Sequence, residues 1–145
     1  MEIVRRSALK VVGLPVDARW EQLWIDMPNA WKEFFARCDL IAHRAGDSFI
    51  DITLARHGGE YHQLIAAEVS AIDRVPEGMT ALEIPAQNYL HHRHEGPLHA
   101  IASSFGAMLD WAHRNGCALD EFKLDFGYTK DGSETAHELY VKVAM

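Results

Sequence analysis

Apolar residues recur along the chain with two different periods, and the switches between them mark out its elements. From Ala8 to Val16 they are nearly continuous, in Leu9, Val11, Val12, Leu14 and Val16. This predicts a strand buried on most of its surface, with Gly13 and Pro15 signalling a bend or an edge. The period lengthens at Trp31, Phe34, Phe35 and Cys38, which fall at i, i+3, i+4 and i+7. That stripe predicts a helix from about Met27 to Ile41, capped by Asp26, with Pro28 in its first turn. Trp20 and Trp24 then belong to the preceding loop. Alternation resumes from Asp47 to Arg56, with Ile50, Ile52 and Leu54 on one face and Phe49, Asp51, Thr53 and Ala55 on the other. Gly58-Gly59 signals a hairpin, and Tyr61 to Ala71 returns as a strand.

Asp73 to Gly78 has turn chemistry and divides the chain almost in half. The pattern then repeats. Met79–Ile84 and Gln87–His94 read as extended, interrupted at Pro85. Gly96-Pro97 opens a second helix with Leu98, Ile101, Phe105, Met108, Leu109 and Ala112 on its apolar face, and Gly116 as its C-terminal cap. Glu121–Thr129 places Phe122, Leu124, Phe126 and Tyr128 on one strand face. Asp131-Gly132 marks a hairpin, and His137–Val143 closes the chain. The expected fold is α+β: two βαββ units related by a pseudo-two-fold, forming a curved antiparallel sheet with two helices and a central ligand cleft. Residues 1–145 are expected to be a single domain with halves of about 1–75 and 76–145.

Charge narrows the partners. Asp plus Glu number 21 against 14 Lys plus Arg, a net charge of −7. This argues against direct nucleic-acid binding and against an anionic membrane surface. No apolar run approaches the roughly 20 residues of a membrane span, and Met1 to Arg6 lacks the apolar stretch of a secretory signal. Cys38 and Cys117 are the only cysteines and lack CxxC spacing. Both features point to a cytoplasmic protein.

Among residues that carry chemistry, Glu68 is the oddest. It is a lone carboxylate in the apolar run Leu64 to Val69, sharing a face with Leu64 and Ala66. Such a group needs a rim position, a cationic partner or a raised pKa. Glu138 and Tyr140 share a face of the last strand, where charge and π-face together suit a cation, or a simple polar face suits water. His91-His92-Arg93-His94 has no metal-binding frame, and Arg93 would repel a cation, so no metal site is expected. His91, beside Tyr89, is a candidate pocket residue. Tyr61, Tyr89, Trp111, Phe126, Tyr128 and Tyr140 are aromatics able to line a cleft, and Phe49 is added to the candidate lining. Trp20 and Trp24 would cover the cleft or contact a protein. No nucleophile elbow, P-loop or dinucleotide fingerprint is present, and no cofactor is expected.

Five short motifs come in order: Val11-Val12-Gly13-Leu14-Pro15, Ile65-Ala66-Ala67-Glu68-Val69, Val75-Pro76-Glu77-Gly78-Met79, Glu83 to Tyr89, and Glu95-Gly96-Pro97-Leu98. Together they resemble the GyrI-like small-molecule-binding domain, the AraC-type effector-binding domain family of transcription regulation and multidrug binding. The resemblance implies a cleft that binds amphipathic, often cationic, aromatic compounds around an acidic anchor. Glu68 and Tyr89 match family positions, and Glu138 lies in the strand that often carries a carboxylate. Ala67 replaces the usual Gly, and Val141-Lys142-Val143 replaces the expected Ile-Pro. In regulators the domain is fused to a helix-turn-helix module. The length here leaves no room for one, so a stand-alone binder is expected. The first reading is a protein that captures or senses organic cations with Glu68, Tyr89, Trp111, Phe126, Glu138, Tyr140, Phe49 and His91. The second is a hydrolase of reactive cyclopropane-type toxins, with Glu68 as general base and Tyr89 orienting water. The third is a gyrase-inhibitor-like interaction module anchored by Trp20 and Trp24. A protein partner or a homodimer is compatible with each.

Overall fold

The computed structural model of the chain describes residues 1–144. Eight strands form one antiparallel sheet: β1 (Glu2–Arg6), β2 (Leu9–Arg19), β3 (Arg44–His57), β4 (Glu60–Val69), β5 (Thr80–Ile84), β6 (Gln87–Glu95), β7 (Leu119–Tyr128) and β8 (Ala136–Val143). Two helices, α1 (Trp20–Arg37) and α2 (Ile101–Arg114), complete the α+β fold. The strand order is β1-β6-β8-β7-β3-β4-β2-β5. The pseudo-two-fold passes between the central strands β3 and β7, which carry the two halves against each other.

Each half has one strand more than a βαββ unit: β5 agrees with the extended pattern of Met79–Ile84, whereas β1 is not predicted by the sequence pattern. β1 is too short and polar to show a period, yet it pairs with β6 in the other half. β5 reciprocates by pairing with β2. Only Ser7-Ala8 joins β1 to β2, and only Pro85-Ala86 joins β5 to β6. Two-residue links span about 10 Å, so the opposite sheet edges must approach and the sheet must curl. Val4, Leu9, Leu82, Ile84 and Tyr89, from both edges, accordingly share one cluster with Ile50, Ile52, Leu64 and Leu124 of the centre. β5 pairs only with Leu9–Gly13 of β2. Pro15 therefore sits where that strand has become an edge. Gly13 is required by packing: a Cβ there would lie 2.0 Å from the Ile65 carbonyl oxygen.

Both helices pack on the other face. α1 lays Phe34, and the turn that follows it lays Cys38, on Val12, Phe49, Ile65 and Ala67. α2 lays Ile101, Met108 and Ala112 on Leu90, Leu139 and Val141. α1 begins seven residues earlier than its Trp31-centred stripe predicts. Leu23 and Met27 extend that stripe backward onto Val16, Ala18 and Tyr61. Trp20 and Trp24 are thus helical, stacked edge to face at 5.4 Å, and not in a loop. Asp26 does not cap the helix; it accepts a hydrogen bond from Gln22 Nε2 inside it. Pro28 is interior but faces solvent, where water can serve the Trp24 carbonyl that loses its partner. Gly116 follows α2 at φ +66° as a C-terminal cap requires.

Candidate functional site

α1 covers Phe49 of β3 and stacks Trp31 on Tyr128 of β7 at 4.5 Å, but the helix-side residues from Asp51 to Thr53 and from Lys123 to Asp125 lie in the gap between α1 and α2. The result is a groove of about 560 Å³. Trp20 and Leu23 of α1 form one wall, and Ile101, Ala102, Phe105, Gly106 and Leu109 of α2 the other. The floor holds Asp51, Thr53, Gln63, Lys123, Asp125 and Tyr128. Apolar walls over a polar floor are the composition of a small-molecule site.

The floor is organised by the pseudo-two-fold. Asp51 of β3 and Asp125 of β7 are register partners and project to the same face. Each is held by a residue twelve positions on: Gln63 Nε2 donates to Asp51 Oδ1 at 3.0 Å, and His137 Nδ1 meets Asp125 Oδ1 at 2.8 Å. Tyr128 Oη also donates to Asp125, at 2.8 Å. Directly opposed like charges repel across a strand pair. Burial, and then the Asp125 charge, push the Asp51 carboxyl up to about 7, against the lowering effect of the Gln63 hydrogen bond. Burial pushes the Tyr128 phenol up, and the neighbouring Asp125 and Asp51 charges add to it. Burial alone would lower His137, but the Asp125 hydrogen bond and the Asp125 and Glu134 charges outweigh it, so His137 lies above its ordinary value. Lys123, on the same floor, is lowered by burial and by Arg56. Its ammonium lies 5.3 Å from the Phe105 ring centre. Among the described residues two buried polar side-chain atoms accept or donate no hydrogen bond, Gln63 Oε1 and His137 Nε2, at equivalent places in the two halves, although His137 Nε2 has the Glu134 carboxylate 3.6 Å away.

Tyr128 reaches this floor through a bulge. Alternation along β7 places it with Phe122, Leu124 and Phe126, on the helix-free face. Instead the register runs Phe126 opposite Ile50 and Tyr128 opposite Phe49, with Gly127 as the extra residue. Gly127 has φ +126°. The added residue turns Tyr128 to the other face.

Of the aromatics singled out from sequence, Trp20, Tyr61 and Tyr128 line this groove, whereas the eight residues of the first reading lie elsewhere. Glu68, Tyr89, His91, Phe126, Glu138 and Tyr140 all project from the helix-free face, by register and clustering. There Phe126 and Tyr140 already hold a cation of the chain itself: the Arg6 guanidinium lies 4.5 and 4.6 Å from their ring centres. Both oxygens of Glu138 are engaged, by His91 at 2.7 Å and Arg93 at 2.8 Å. Tyr89 is buried and its hydroxyl accepts from Gln87 Nε2 at 2.7 Å. Among the described residues no hydrogen bond joins Tyr89 to Glu68. Phe49 is buried against Phe34 and Phe35 under α1, and Trp111 packs among the α2 core residues. None of these eight lines the groove between the helices. Of the paired histidines, His94 is buried and bonds Ser104 of α2. In the sequence Asp51 and Gln63 are each an ordinary polar position of an amphipathic strand, with nothing local to mark them as a site. The matching spacing from Asp51 to Gln63 and from Asp125 to His137 was the signal available.

The family described as Cass2, integron-associated effector binding protein, matches residues 2–143. The transcriptional regulator BrlR of Pseudomonas aeruginosa is 33% identical over 114 residues, which cover 73% of this chain and 39% of the regulator. The chain therefore spans less than half of that curated relative. SAV2435, solved bound to tetraphenylphosphonium, superposes with a TM-score of 0.75 at 12% identity, covering 99% of this chain and 93% of that one. An integron cassette protein from the mobile metagenome of Vibrio cholerae superposes with a TM-score of 0.69 at 12% identity, covering 99% and 95%. At these identities the two structures show a shared fold.

Proposed function

Because the chain belongs to the integron-associated effector-binding protein family, we propose that it binds amphipathic organic cations in the groove between α1 and α2. The observation that carries this reading is the opposed Asp51–Asp125 pair on an otherwise apolar-walled floor. A buried carboxylate, Asp125, and a half-buried one, Asp51, facing each other are relieved by a cation placed between or above them. Phe105, Trp20 and Leu109 supply the apolar surface that an aromatic cation buries. The same fold carries tetraphenylphosphonium in SAV2435, which supports the class of ligand. Net acidity favours cations over anions in the surrounding field.

The experiment is a calorimetric titration with tetraphenylphosphonium and with neutral triphenylphosphine oxide. The cation binds more tightly by at least about tenfold, and Asp51→Asn removes most of that difference. Equal affinity for the charged and neutral compounds, or an unchanged cation affinity in Asp51→Asn, overturns the reading.

A further inference from the structure

The floor carries an acceptor that a purely electrostatic cation site does not need. Gln63 is 8% exposed, lines the groove, and among the described residues has no hydrogen-bond partner for Oε1. Its Nε2 is committed to Asp51 Oδ1. When Asp51 is ionised that orientation is fixed, because a carboxylate only accepts and must face the amide N–H. Oε1 is then turned away from Asp51 and remains unpaired. A buried carbonyl oxygen without a donor costs free energy that a ligand can recover by supplying one. A quaternary ammonium or phosphonium has no donor to give. A protonated amine, amidinium or guanidinium has several, and its charge and its N–H groups are on the same atoms.

We infer that the groove prefers cations bearing N–H donors, with one donor on Gln63 Oε1 and another on the Asp51 carboxylate. This rests on the groove being the cation site. The flanking groups are consistent with it. Leu23 of α1 and Phe105 of α2 offer no competing side-chain acceptor, and the Lys123 ammonium, on the same floor, is directed to the Phe105 ring at 5.3 Å. The inference sharpens the ligand class from any lipophilic cation to aryl-substituted amines, amidines and guanidines.

A matched pair separates the two levels. 2-Naphthylmethylammonium and its N,N,N-trimethyl derivative share ring and charge, and neutral 2-naphthylmethanol shares the ring. Each is titrated into the wild-type protein and into Gln63→Met, which keeps the side-chain length and removes the acceptor. In wild type the primary ammonium binds about tenfold more tightly than the trimethyl compound, the effect of one charge-assisted hydrogen bond. In Gln63→Met that preference falls to within about twofold, while the trimethyl compound keeps its affinity. A trimethyl compound that binds wild type as tightly as the primary ammonium overturns the inference, and so does a preference that survives Gln63→Met. In either of those cases both cations still outbind the alcohol, and the groove reading stands. If the alcohol binds as well as the cations, or neither cation binds, the groove reading falls and the inference with it. The wild-type comparison is decisive even if Gln63→Met does not fold.

Discussion

Asp51 acts in two opposite ways at one position. Its folded carboxyl titrates near 7 against an ordinary 3.8. Between those values the folded state holds a proton that the unfolded chain has released, so stability falls as pH rises through the window and stays low above it. Asp51→Asn removes this dependence. Chemical denaturation should find the Asp51→Asn protein more stable than wild type at pH 8, by about 1–3 kcal/mol, and nearly equal to it at pH 4. An equal gain at both pH values would show that the carboxylate is not strained by its surroundings. The substitution that stabilises the empty protein at pH 8 is also the one that removes most of the preference for a cation, as expected where a site holds unfavourable charge for its ligand. Lys123 works against the ligand from the same floor. Lys123→Met should tighten tetraphenylphosphonium binding several-fold by calorimetry, since it removes a competing positive charge.

Elements explain which of these residues the sequence could disclose. Strand faces were legible wherever alternation was unbroken: Ile50, Ile52 and Leu54 separate from Phe49, Asp51 and Thr53 as the pattern requires. It failed at Tyr128, where one glycine shifts the period, and at β1, whose pairing depends on a strand almost ninety positions away. The helix boundary failed at α1 because Pro28 imitates a first turn while packing by Leu23 and Met27 prolongs the helix. Glu68 drew attention as an isolated acid in apolar surroundings, whereas the groove acids were hidden in regular alternation. Isolation in one strand does not show which face a neighbouring element will cover. The bulge itself is testable. A Cβ on Gly127 would meet the Ala136 carbonyl oxygen at 2.9 Å from a backbone at φ +126°. Gly127→Ala should cost about 2 kcal/mol or more in urea unfolding. A cost below about 0.5 kcal/mol would show that the bulge tolerates a side chain.

For the whole molecule, charge, curvature and duplication converge on the central strands. The short links between edge strands curl the sheet around one core, and the two helices stand apart over the other face. What lies open between them is the axis of the duplication, so an acid placed once in each repeat appears there as a pair. Cation affinity should therefore follow the ionisation of that pair. The groups facing it are Asp120, Glu121, Lys123 and Tyr128 on β7, Gln63 and Tyr61 on β4, Arg56 at the end of β3, which pairs with Glu121 at 3.2 Å, and His137 on β8, whose Nε2 lies 3.6 Å from Glu134, while the facing walls of α1 and α2 bring no charge. Affinity for tetraphenylphosphonium should weaken about tenfold from pH 8 to pH 6 as Asp51 takes up its proton, a sign opposite to the stability of the empty protein. A pH-independent affinity would separate binding from Asp51.

The central claim is the location of the cation, and anomalous diffraction from a crystal soaked in tetraphenylarsonium measures that location directly. The arsenic peak should lie between α1 and α2, within about 6 Å of the Asp51 and Asp125 carboxylates. A peak on the helix-free face, against Phe126 and Tyr140 in place of the Arg6 guanidinium, would contradict it.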